Sequence, residues 1–178
     1  MSYEVIPEVT TQGLEEPAKV RFSYPTESII NSLQLRTHYR AKMIKDNNGE
    51  SQLDDFAIGS DEKDMVKEML EEGIYEIGTA FFKMADGVDN SIFFDSDLEA
   101  ELDAKSSGFE IVNRQAYNTN LLPAIDKKIL SCIRYFCLKK WWAAVASPDD
   151  VTTNTNEYNS LLRDLKNLSF QLRKPAMT

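Results

Sequence analysis

One histidine, His38, and two cysteines, Cys132 and Cys137, are all that this 178-residue chain has of the two residue types most used for metal and thiol chemistry. That is a poor inventory for nucleophilic or metal catalysis. His38 has no second His, Cys or catalytic Ser beside it in sequence and reads as a surface or boundary residue. Cys132 and Cys137 lie five residues apart in one helical pattern. Side chains so spaced point roughly 140° apart and cannot easily pair within that helix. They read as reduced core cysteines, and no CxxC or Cys/His cluster suggests zinc. Also missing are GxGxxG, the Walker A loop, GxSxG and HExxH. No enzyme activity, cofactor or metal is expected. No apolar run approaches the length of a membrane span. The opening Met1-Ser2-Tyr3-Glu4-Val5-Ile6-Pro7 has neither the basic nor the apolar region of a signal peptide. Synthesis in a reducing cytoplasm is the expectation.

What is there suffices for a real core. Hydrophobic residues make up 42% and charged residues 28%, which separates the chain from disordered sequences. The net charge of −9 argues against a general nucleic-acid or membrane binder. The charge is also uneven. Residues 61–85 are acid-rich, through Asp61, Glu62, Asp64, Glu68, Glu71, Glu72 and Glu76. Residues 86–110 set a further run of acids against Lys105 alone, whereas 123–147 set Lys127, Lys128, Arg134, Lys139 and Lys140 against Asp126.

The most informative stretch is 123–147. Pro123 suits a first helical turn, where its missing N–H is not needed. Ile125, Ile129, Cys132, Ile133, Phe136, Cys137 and Ala144 follow helical spacing, and Pro148 stops the run. Trp141 and Trp142 are neighbours, so they cannot share one face. At least one indole must seek a second surface. Lys140 falls near the apolar stripe, where its stem snorkels or its ammonium meets an acid from the preceding long helix.

Three more helices are predicted. One covers 26–45, capped by Thr26 or Ser28, with Ile29, Ile30, Leu33, Thr37 and Ile44 inward and Arg36, Arg40, Lys42 and Lys45 outward. A second covers 61–85 behind Ser60, with Val66, Met69, Leu70, Gly73, Ile77, Ala80, Phe81 and Met84 as its buried stripe. The last covers 152–172, carried by Tyr158, Leu161, Leu162, Leu165, Leu168 and Leu172. Residues 1–25 read as an extended N-terminal arm interrupted by Pro7, Gly13, Pro17 and Pro25. Within it, Tyr3–Ile6 and 19–24 either add as strands or stay at a mobile terminus. Residues 174–178 are a short tail.

Residues 88–113 break the helical pattern. Two strand candidates, 91–94 and 109–113, flank an acidic tip, so the stretch reads as a β-hairpin-like insertion. Asp95, Asp97, Glu99, Glu101 and Asp103 make it a solvated acidic protrusion. A calcium loop starting at Asp95 fails, because its sixth position is Ala100 rather than Gly and its twelfth is Ser106 rather than Glu. The expected fold is therefore mainly α: a small bundle of about four helices in one domain, 26–173, with the arm and the insertion appended.

Aromatic residues are enriched in interface cores. The candidate subunit or partner contacts are accordingly Phe22, Tyr24, Trp141 and Trp142. To these are added the acids Glu68, Glu72 and Glu76 and the bases Arg134, Lys139 and Lys140, which can complement one another within a subunit or between neighbours.

The order of elements is arm, two helices, acidic β-like insertion, long aromatic helix and leucine-bearing helix. This resembles the small all-helical head–tail connector (adaptor) proteins of tailed bacteriophages and prophages. In sequence the likeness is concentrated in 129–145, where an apolar helix ends in Lys139-Lys140-Trp141-Trp142, and in the helix over 158–172. The resemblance implies a structural virion protein, made in the host cytoplasm and located at the head–tail junction. It implies a homo-oligomeric ring, commonly of twelve copies, between the portal protein and a tail or second ring protein. Such a ring extends the DNA channel, and its acidic wall lets DNA pass without specific binding. The arms, 1–25 and 173–178, would reach a neighbour. The alternative is a small helical protein-interaction module, a dimeric scaffold or regulator without catalysis. In neither reading is there a membrane partner.

Overall fold

Alternation of polar and apolar residues in Lys19-Val20-Arg21-Phe22-Ser23-Tyr24 decides how the chain is put together. The computed structural model describes residues 3–6, 19–46, 48–85, 89–97, 105–112 and 118–172. In it β1 (Tyr3–Ile6) and β2 (Lys19–Pro25) pair antiparallel, with Phe22 opposite Tyr3. Two further strands, β3 (Ser91–Asp97) and β4 (Lys105–Val112), pair antiparallel with each other, and β4 pairs antiparallel with β2. The result is one four-stranded sheet of order β1-β2-β4-β3. Side chains on one face of β2 and β4 turn inward, so Val20, Phe22, Tyr24, Phe109 and Ile111 are buried.

Five helices among the described residues complete the fold: α1 (Thr26–Ala41), α2 (Leu53–Phe56), α3 (Lys63–Ala85), α4 (Leu122–Ala144) and α5 (Pro148–Leu172). The chain is thus mixed α and β, which corrects the expectation of a mainly α bundle of about four helices. The reason is tertiary. The segment read as an arm and the segment read as an insertion each present half of a sheet, and only together do they bury their apolar faces. Phe22 and Tyr24 are 0% and 1% exposed, so they are core residues rather than partner contacts.

The core lies between this sheet and the helices. Phe22, Phe81 and Phe109 pack with ring centroids 5.4–5.8 Å apart, joining β2, α3 and β4. Such offset and edge contacts add to the stabilisation from area burial. Gly108 is required on β4: a Cβ there would lie 1.9 Å from the carbonyl oxygen of Phe22. Gly73 allows the Phe136 ring to press against α3, within 2.9 Å of where a Cβ would be.

Helix α4 is the central strut, with Ile125, Ile129, Cys132, Ile133, Phe136, Cys137 and Leu138 buried. Its last turn closes when Ala146 enters the left-handed region at φ 56°. The Ser147 N–H then donates to the Trp142 carbonyl at 2.9 Å, a helix-ending pattern usually built on glycine. The chain reverses into α5, and the pairs Lys128–Asp164, Phe136–Tyr158 and Ser147–Asp150 show the two helices running antiparallel. Both tryptophans are buried, at 3% and 2%. Trp141 donates from Nε1 to the Phe56 carbonyl at 2.9 Å, and Trp142 packs beside the Phe56 ring. The second surface that two adjacent indoles require is therefore α2 of the same chain, not a neighbour.

Candidate functional site

Three surfaces contain the side chains with the clearest unspent chemistry. The first is a charged seam where α3, α4 and α5 meet. Lys140 Nζ lies 2.7 Å from Glu72 Oε1, so the lysine near the apolar stripe meets an acid from α3. One turn on, the Tyr158 hydroxyl donates to Glu76 Oε1 at 2.7 Å. Burial first, and then the Glu76 bond, hold that hydroxyl well above the ordinary tyrosine range. Lys139 rests its ammonium over the Phe136 and Tyr158 rings, at 4.4 and 4.1 Å, and burial lowers its pKa. Among the described residues one ion pair, Lys140–Glu72, joins the basic α4 to the acidic α3, while Lys128 pairs with Asp164 of α5.

The second surface is an open cleft of about 450 Å³ lined by Pro25, Thr26, Ile30, Lys63, Lys67, Asp95 and Lys105, among others. Asp95 is its pivot. The register of β3 on β4 slips between Phe93 and Ser96, and Asp95 takes a left-handed backbone conformation, φ 47°. Such local strain persists only where several contacts hold it. Here the Ser107 hydroxyl accepts from the Asp95 N–H at 3.0 Å, the Thr26 hydroxyl donates to its carboxylate at 3.3 Å, and Lys67 forms an ion pair with it. The Lys67 ammonium, helped by Thr26, holds the Asp95 carboxyl below the usual carboxylate range. Asp95 is therefore anchored in the sheet rather than standing on a solvated protrusion. Asp97 pairs with Lys105 in the strand register, while Glu99, Glu101 and Asp103 lie outside the described residues. Among the described residues no cluster of three metal-ligating side chains occurs, and no helix is long and apolar enough to cross a membrane.

The third surface is apolar and exposed. On α1, Leu35 and Tyr39 stand 56% and 59% exposed, and Met43, just past its end, 71%. Their spacing of four residues places them in one outward stripe. Beside it Arg36 lies over the Tyr135 ring, 5.9 Å from its centroid. Arg134 of α4 is half-buried, its Nε is enclosed without a hydrogen-bond partner, and burial followed by the nearby Arg36 charge lowers its pKa. On α3, Met65 and Tyr75 are exposed on the side that also carries Glu68 and Glu72.

Of the ten residues expected at a contact, the structure brings Glu72, Glu76, Lys139 and Lys140 together in the seam, leaves Glu68 exposed on α3 and half-buries Arg134 on α4. It places Phe22, Tyr24, Trp141 and Trp142 in the core. The α1 stripe escaped the sequence reading, although its i, i+4, i+8 spacing was there to be counted. Comparison with family models, with curated proteins and with solved structures finds no match for this chain.

Proposed function

We propose that the chain is a non-catalytic structural subunit of a ring at the head–tail junction of a tailed phage, joining portal to tail and extending the DNA channel. The observation that carries this reading is the exposure of large apolar side chains on two helices, Leu35, Tyr39 and Met43 along and just past α1, and Met65 and Tyr75 on α3. Large apolar side chains grouped on outward helix faces mark association surfaces. The two groups belong to different helices and carry different flanking charge, as a head-to-tail contact between identical subunits, which joins two unlike faces, requires. The net charge of −9 suits a wall past which DNA moves without being held.

The test is the protein content of purified tailed particles from cells carrying the gene, measured by quantitative mass spectrometry. The reading expects this chain in the particles at a copy number comparable to that of the portal subunit. Its absence from particles that contain portal and tail proteins would sink the proposal.

A further inference from the structure

Arg36 lies over the ring of Tyr135, the residue that follows Arg134 on α4, so two guanidinium groups of like charge are brought into one neighbourhood. Neither forms an ion pair with a described residue. Around them are the exposed Leu35, Tyr39 and Met43, with Lys42 adding charge on the same outward side. The patch therefore combines an apolar centre with a basic rim that no described acid answers. The outward face of α3 is its chemical converse. Met65 and Tyr75 supply exposed apolar area. Glu68 is exposed there with no ion-pair partner among the described residues, whereas Glu72 is engaged by Lys140. One face offers bases around apolar side chains, the other acids around apolar side chains.

We infer that the partner of the α1 face is a second copy of this chain, docked through the outward face of its α3, with Arg36 and Arg134 answered by Glu68 of the neighbour. This contact is heterologous: each subunit uses its α1 face toward one neighbour and its α3 face toward the other. Repetition of one heterologous contact closes a ring or extends a filament. The inference rests on the ring reading and supplies the surfaces it needs. A contact between two helix faces is at the small end of stable interfaces, so covalent trapping reads it better than sizing alone.

The experiment uses full-length chains carrying Tyr39→Cys or Tyr75→Cys, both at positions about 60% exposed. Cys132 and Cys137 are buried and do not compete for a maleimide in the folded protein. A short bismaleimide is added to each variant alone and to an equal mixture, and products are read by denaturing electrophoresis. The expected result is a cross-linked pair in the mixture, at least tenfold over either variant alone. Arg36→Glu introduced into the Tyr39→Cys chain, or Glu68→Arg into the Tyr75→Cys chain, should abolish most of that product, and the two together should restore it. Equal cross-linking in the single-variant samples, or none in the mixture at the highest soluble concentration, overturns the inference. Native mass spectrometry of the wild-type chain separates the two proposals. Closed rings without the cross-link leave the ring reading standing and this contact refuted. The cross-link with open chains only supports the contact and removes the ring.

Discussion

Gly108→Ala tests whether the sheet is assembled as described, because the obstruction it meets is backbone rather than a movable side chain. The added Cβ would lie 1.9 Å from the Phe22 carbonyl oxygen, 3.0 Å from the carbonyl carbon, and 3.0 Å from the end of the Phe93 ring. Relief requires β4 to move away from β2 by more than an ångström, at the register point where Gly108 faces Ser23 on one side and Phe93 on the other. Both ladders of an inner strand are strained by one methyl group. The adjoining Phe22–Phe109 contact, with centroids 5.4 Å apart, cannot stay in place during such a shift. Overpacking a core typically costs about 1–3 kcal/mol where side chains can yield. Here they cannot, so the upper end, about 3 kcal/mol or more, is expected. For a chain of this size that corresponds to a fall in Tm of about 6–12 °C. Urea titration followed by circular dichroism measures the loss. A Gly108→Ala protein within about 1 kcal/mol of the wild type would refute the pairing of β2 with β4.

Deletion of residues 1–25 removes Val20, Phe22 and Tyr24 from the core, so the truncated chain should lose cooperative unfolding; a folded, monodisperse product would show that these strands are dispensable. Ala146→Gly should stabilise the chain by up to about 1 kcal/mol, because glycine adopts the φ of 56° without the Cβ penalty; an unchanged or lower urea midpoint would count against the helix-ending geometry. Burial pushes the thiols of Cys132 and Cys137 up to about 12, so neither should react with a thiol reagent at pH 8 until the protein is unfolded; stoichiometric labelling of the native chain contradicts their placement. Asp95 has a folded pKa lowered by Lys67, so its stabilisation is present above the ordinary carboxylate range and lost as pH falls through the folded value. Asp95→Asn should therefore be less stable than the wild type at pH 7, with the gap closing in acid; a gap independent of pH would mean that the ion pair contributes nothing.

Helix α3 was legible nearly to the residue because Val66, Leu70, Gly73, Ile77 and Phe81 keep one periodicity that only a helix satisfies. The same holds for α4, where the fate of the adjacent tryptophans also followed from geometry, although not the element that receives them. Helix α2 is four residues long and leaves no periodic trace. The sheet was legible only in pieces. Strands β3 and β4 were half-seen in the aromatic and β-branched residues of 91–94 and 109–113, and β2 in the alternation of 19–24. Nothing local in β2 states that its partner lies more than eighty positions away, with Phe22 opposite Phe109. Pairing at that distance depends on the summed burial of both strands against α3, which no window along the chain contains. Asp95 failed for the same reason: its acidic neighbours described a solvated loop, while Thr26 on α1, Lys67 on α3 and Ser107 on β4 decided its environment.

The distribution of paired and unpaired charge bears on where association occurs. The bases of α4 and the acids of α3 looked complementary along the chain, and the attraction could have served a neighbour. Inside the subunit, Glu72 takes Lys140 and Glu76 takes the Tyr158 hydroxyl, so these groups would have to break existing bonds to bind elsewhere. Exposed pairs such as Lys140–Glu72 contribute little to stability, yet they lower the local charge that a partner would sense. Arg36 and Arg134 are different, because their proximity adds positive charge instead of cancelling it. Against a chain of net charge −9, such a patch is a local reversal of sign. In the proposed contact it would orient an approaching copy, whose net charge is negative, toward one face of α1. The exposed tyrosine and methionine beside it then supply the apolar burial that electrostatic steering alone does not. The proposed association therefore uses α1 and the outward side of α3, and the long aromatic helix, whose sequence looked most like an interface, has its tryptophans buried within the chain.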